Sequence, residues 1–408
     1  MKNKTVLHSS LLLCLLVISC NDSEPERLMI MTVEVAADAI TNGEQRWICI
    51  TDEVGNILDE QQLVNGKSFE MTSAFVPEYV DVTFYSLFPA NLPRHIVSTY
   101  KDIQTKKHIL LKPGENSPEI SAPVPLGQAT YVIHNFPAMW ETELDIYEAV
   151  TFSTGTFYST AYVSTGVENN TYRAVRNIYQ DPTDVLISSY RDGERVYTWA
   201  QVSPGEEVIL DLQNFKLYEN VLAIPNPGSV LSSTTGMNND GSRFSLGNIS
   251  SHSFQDPPTI GYIDGFDNYV TRLCIWKNDR DFCHVKLGEK VESLDFPDYS
   301  GTVTDNRITS FQYSESEPYS WGVGYWYLIG HDFTWTIHGS ENSQLKINSI
   351  PREVAKNIPN LKLTDFNFLR FIFYERLDGI TFQDHFDQSF GLKEENKFFD
   401  FFEIEQYD

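Results

Sequence analysis

The stretch YSWGVGYWYLIGHDFTWTIHG, residues 319–339, concentrates side chains suited to holding a ligand. Flat aromatic faces stack on the apolar faces of sugar rings, and neighbouring polar groups then read the hydroxyls. Period-two alternation sorts these residues. Phe333, Trp335 and Ile337 share one face of a strand, against Thr334, Thr336 and His338 on the other, so Trp335 is expected in the core. Trp326 with Leu328 reads the same way. That leaves Trp321, Tyr325 and Tyr327 as candidate ligand-binding residues, with Trp321, beside Gly322 and Gly324 in a pliable loop, the one expected in solvent. The competing reading is that all three fill a sandwich core or its edges, because Tyr and Trp favour strands regardless of function.

Cysteine and histidine chemistry is sparse. The stretch LCIWKNDRDFCHVKL reads as a hairpin, and a two-residue turn at Asn278-Asp279 would set Cys274 directly opposite Cys283. A cross-strand disulfide then competes with two buried thiols in a register shifted by one. No second cysteine pair or close histidine pair accompanies them, so no metal site is expected. His331 and His338 lie seven residues apart, which on a strand sends their rings to opposite faces. The acidic turns NNDGS (238–242) and IDGFDN (263–268) lack the full alternating pattern of a calcium loop and read as ordinary turns. No G-x-S-x-G, H-E-x-x-H, P-loop or dinucleotide fingerprint occurs, which removes the common motif-bearing enzymes. A glycosidase needs only two carboxylates placed in space, with no sequence spacing. No catalytic residue and no cofactor are therefore assigned, and the reading leans away from an enzyme.

The start of the chain addresses location. Lys2 and Lys4 precede an apolar run from Val6 to Ile18, broken only by His8, Ser9 and Ser10. That run is shorter than the roughly 20 apolar residues a spanning helix needs, so it reads as a processed signal. Val17, Ile18 and Ser19 before Cys20 resemble the lipobox of bacterial lipoproteins: aliphatic, variable, small, then the cysteine that becomes the lipidated N-terminus. Cys14 fails that pattern because Leu12 and Leu13 are too bulky. The acidic stretch NDSEPE that follows resembles the tether of surface lipoproteins from Bacteroidota. The resemblance implies a signal peptide over 1–19, fatty chains on Cys20, a tether over 20–27, and anchoring in the outer-membrane bilayer facing the cell exterior. Each buried methylene of such chains contributes about 0.8 kcal/mol.

Formal net charge is −26 and becomes −28 once Lys2 and Lys4 are removed. That balance argues against nucleic acid and anionic membrane surfaces as partners, and is compatible with neutral glycans. Short runs such as MIMTVEVAA, QRWICITDE and YVDVTFYSLF alternate β-branched and aromatic residues between Gly, Asn, Asp or Pro, as strands of antiparallel sheets do. The expected class is all-β. Tandem small sandwiches, Ig-like or transthyretin-like, would occupy 28–118 and 124–215, with a boundary at the prolines from Pro118 to Pro123. An internal echo supports the tandem, since WICITDEVGNILDEQQLVNGKSFEM and VLISSYRDGERVYTWAQVSPGEEVILDL each run strand, glycine turn, strand, glycine turn, strand. The polar stretch 224–261 reads as a long loop. A larger β-rich domain then fills 217–408, with one short helix at SIPREVAKNIP capped by Ser349.

The layout resembles surface glycan-binding lipoproteins, in which spacer modules hold a C-terminal binding domain away from the lipid. Two rivals stand beside that reading. A fimbrial anchor, accessory or adhesion subunit would pair with another surface protein by strand addition. A surface hydrolase would need a cleft with converging acids.

Overall fold

The computed structural model describes residues 27–89, 93–113, 124–136, 148–155, 158–162, 167–224, 230–249, 259–277, 280–298, 300–393 and 398–407. The signal sequence, Cys20, all of the tether but Arg27, the proline boundary and the Asn278-Asp279 turn lie outside them. The fold is all-β.

One sheet of twelve strands organises the molecule. Its order is Arg243–Ile249, Val230–Met237, Asn268–Lys277, Arg280–Gly288, Phe399–Tyr407, Phe366–Arg376, Trp321–Leu328, Asp332–Ser340, Arg94–Gln104, Tyr79–Phe88, Gln45–Thr51 and Ile57–Leu63. Neighbours run antiparallel except at one seam, where Asp332–Ser340 pairs in parallel with Arg94–Gln104 from Asp332 opposite Arg94 to His338 opposite Tyr100. The expected division between 28–118 and 217–408 is therefore corrected, because the two segments share one hydrogen-bonded sheet. Side chains lock the seam: the Trp335 indole donates to Thr99 Oγ1 at 3.0 Å and Thr336 Oγ1 to Ser98 Oγ at 3.0 Å.

One face of this sheet packs a core drawn from both segments, including Trp47, Tyr85, Val97, Trp326, Trp335, Phe371, Phe373 and Ile404. The 289–320 and 341–365 stretches, which include a two-stranded sheet (Gly301–Asp305 with Gln312–Glu315) and a short helix, cover it, and Trp326 donates its indole N–H to the Asn306 carbonyl at 2.9 Å. Opposite the seam the other face carries a three-stranded sheet, Ser68–Ser73, Leu28–Val35 and His108–Leu111, and a helix. The rest of that face, toward Asn268–Lys277, is open.

Two α-helices occur among the described residues, not one. The expected helix is α1, Arg352–Asn357, but Ser349 does not cap it. Glu60, on the edge strand of the large sheet, accepts from Arg352 N and Glu353 N at 3.0 Å each. The second, α2 (Phe382–Ser389), starts at a Thr381–Asp384 capping box and lays Phe386 into the core.

The stretch read as a long loop contains the hairpin Val230–Met237 and Arg243–Ile249. Its Ser and Thr content disguised it, yet Ser232, Thr234 and Ser245 are buried strand positions. The second sandwich stands between the segments of the large sheet, in two layers. One runs Tyr158–Tyr162, Glu148–Ser153, Thr183–Arg191, Glu194–Val202, Lys216–Leu217; the other runs Val167–Glu168, Thr171–Ile178, Gly127–His134, Glu207–Asp211. It meets the sheet edge where Arg243 N donates to the Gly155 carbonyl at 2.6 Å and Trp199 stands edge-on to Phe244. In both copies of the echo a hairpin is followed by a strand that crosses to the opposite layer. The match ends there: Ser68–Ser73 is antiparallel to Leu28–Val35, whereas Glu207–Asp211 is parallel to Gly127–His134.

Candidate functional site

The three aromatic candidates do share one face of a strand, Trp321–Leu328, but the cover on that face divides them. Trp321 is 2% exposed, so its expected place in solvent is corrected. It stacks on His385 of α2 at 4.8 Å and on Tyr374 at 5.4 Å, with the Arg376 guanidinium over its ring. Gly322 and Gly324 belong to the strand rather than to a pliable loop. A Cβ at Gly322 would meet the Phe371 ring at 2.4 Å, and one at Gly324 the Trp326 ring at 2.3 Å, so these glycines make room for core aromatics. Trp326 and Trp335 are core, as alternation predicts.

Tyr325 is half-buried against the core that α2 covers, and Tyr327, two residues on, is exposed. Cross-strand register sets Tyr407, Arg370, Tyr325, Thr336 and Ser98 side by side across five strands. The Arg370 guanidinium lies over the Tyr325 ring at 4.6 Å and donates to Glu405 at 2.5 Å. Tyr327 is 37% exposed, and Tyr407 and Trp276 complete an open aromatic surface at 43% and 40%. Their rings lie 6.4 Å apart, and the Tyr407 hydroxyl donates to Asp281 at 3.3 Å.

Cys274 and Cys283 are directly opposed and bonded, S–S 2.10 Å. They stand on the same open face, in the row that continues through Glu403 and Tyr374 to Trp321. Trp276 and Tyr407 escape the sequence reading, although Trp276 follows Cys274 by two and so shares its face. Tyr407 carries no local signal, since only the pairing of Phe399–Tyr407 brings the chain's end here.

The chemistry of this face is recognition by rings, hydroxyls and paired charges. Burial raises the Asp281 carboxyl; the Tyr407 hydroxyl opposes that shift and the Glu405 charge adds to it. Glu405 is held by Arg370 and Glu403 by Arg272. Elsewhere the acidic turns are tied by hydrogen bonds: Asp240 accepts from Ser242 N of its own turn at 2.8 Å, and Asp267 accepts from Asn239 N of the other turn at 2.7 Å. Among the described residues no three His, Cys, Asp or Glu side chains converge as a metal cluster. No protein-family model matches the chain, and no curated protein matches it in sequence.

Proposed function

We propose that this chain is a cell-surface lipoprotein, anchored in the outer membrane through lipid on Cys20, that binds a glycan rather than transforming it. The observation that carries this reading is the open sheet face, where Tyr327, Trp276 and Tyr407 stand exposed among Arg370, Glu405, Asp281 and Thr336. Exposed rings on rigid strands present stacking surfaces at little entropic cost, and the ion-paired side chains between them are fixed for reading hydroxyls. Adjacent strands lie about 4.8 Å apart, so a ligand crossing from Trp276 to Tyr327 spans roughly 20 Å, an extended rather than a compact molecule. Asp281 and Glu405 lie opposite each other, yet on a flat open face that does not exclude water, which favours binding over hydrolysis.

The test is a panel of polysaccharides titrated against the full chain and its Tyr327→Ala and Trp276→Ala variants. Saturable binding is expected, about 5- to 10-fold weaker in each variant, which is about 1 kcal/mol of lost stacking. Folded protein that binds no glycan, or binds equally well in both variants, would sink the reading.

A further inference from the structure

The second sandwich contains a charge where alternation calls for a core residue. Strand Thr171–Ile178 turns Tyr172, Ala174 and Ile178 inward, at 3%, 6% and 0% exposure. Arg176 falls on the same inward phase. Its Nη1 donates to the Val175 carbonyl at 2.9 Å and its guanidinium lies over the Phe152 ring at 4.9 Å. Its Nε is buried without a hydrogen-bond partner, and among the described residues no carboxylate forms an ion pair with it. Two other inward cations are matched, Lys101 with Asp81 and Arg280 with Glu315, whereas Arg195 likewise has a buried Nε without a partner but has no cleft of this kind beside it among the described residues. A half-buried guanidinium whose Nε is cut off from water without a partner costs stability, and a local cost of that kind beside an open cleft points to a ligand.

Space for one lies beside it. A cleft of about 390 Å³ opens between the two layers, floored by Tyr131, Phe152, Ile178 and Val185. Gln128, Asn177 and Tyr179 form its rim, joined as Gln128 Nε2 donates to Asn177 Oδ1 at 3.1 Å and Asn177 Nδ2 reaches the Tyr179 hydroxyl at 3.5 Å. Ligand cavities run from about 300 to 1,000 Å³, so this one suits a single ring rather than an oligosaccharide. The floor adds no negative charge at neutral pH, since burial pushes the Tyr131 phenol up to about 12. Of the charges felt at Tyr131, Arg176 outweighs Glu206, and the chain's more distant negative charge is screened beyond about 8 Å at physiological salt.

We propose that this cleft is a second binding site, separate from the open sheet face, for a small cyclic carboxylate whose charge is taken by the Arg176 guanidinium. The planar guanidinium matches a carboxylate through two parallel hydrogen bonds, the aromatic floor takes the ring, and the amide rim reads a substituent opposite the acid.

Calorimetric titration of the full chain with 4-hydroxybenzoate, beside its neutral isostere 4-hydroxybenzamide, tests this. One saturable site is expected for the carboxylate, at least tenfold weaker for the amide and for Arg176→Gln, and intermediate in Arg176→Lys. Tyr327→Ala should leave this binding unchanged, which separates the site from the sheet face. Gln128→Ala on the exposed rim should weaken it several-fold and keeps the test decisive should Arg176→Gln not fold. Absence of saturable binding by the wild type, equal affinity for the amide, or undiminished binding by folded Arg176→Gln would each overturn the proposal.

Discussion

Trp321 and Tyr327 are six residues apart on one face of one strand, and a pair of alanine substitutions distinguishes what each does. Trp321 is enclosed by His385, Tyr374 and Arg376, so truncating it opens a cavity and should cost about 3–5 kcal/mol, read as a large fall in Tm. Tyr327 is 37% exposed, and Tyr327→Ala should stay within about 0.5 kcal/mol of wild type while weakening ligand binding. A Trp321→Ala protein that melts like wild type would contradict the enclosure. Alternation along the sequence did place Trp326 and Trp335 in the core, but it read Trp321 as a loop residue rather than as part of the strand. What it could not supply was the cover, because α2 and Tyr374 arrive from more than fifty residues away.

At the scale of elements, α2 is the cover, and its attachment to the sheet carries two histidines that are neutral when folded. His385 stacks on Trp321, and burial with the nearby Arg376 charge holds it down at about 4. His338 stacks on Tyr100 beneath the helix, its Nε2 within 3.2 Å of Thr336 Oγ1, and burial with the His385 charge holds it at about 3. Unfolded histidine titrates near 6.5. Between about pH 6.5 and 4 the unfolded chain therefore binds more protons than the folded one, so stability is full above 6.5 and falls with pH below it. Thermal melts from pH 7.5 to 4.5 should show that loss, with His338→Phe and His385→Phe each removing on the order of 2 kcal/mol of the dependence. A pH profile identical in both variants and wild type would mean these rings do not set it. The Thr381–Asp384 box that starts α2 was passed over, and only one helix, at 349–359, was expected, but most strands were legible as local signals. The hairpin at 230–249 was not, because Ser and Thr that pair inside a sheet have the composition of a loop.

Pairing across the whole chain is the part that local periodicity does not encode, and it decides which segments can fold alone. The 27–113 segment ends its share of the large sheet at Arg94–Gln104, an eleven-residue strand whose partner is Asp332–Ser340. Cut from the rest, it would present a long unpaired edge and lose the cover over Trp47, Tyr85, Leu87 and Val97, which pack only in the core shared with the C-terminal third. Burying each such side chain stabilises by about 1.5–3 kcal/mol, so four together approach the roughly 5–15 kcal/mol by which a whole domain is stable. The 124–217 sandwich differs, because its core, from Ala129 to Phe215, comes entirely from its own residues. Expressed separately, 124–217 should give a monomer with a cooperative thermal transition, whereas 27–113 should aggregate or melt without one. A sharp, reversible melt of monomeric 27–113 would show that the seam at Asp332–Ser340 joins two finished domains; its failure, beside a folded 124–217, would show that chain separated by more than two hundred residues forms one cooperative unit through that seam.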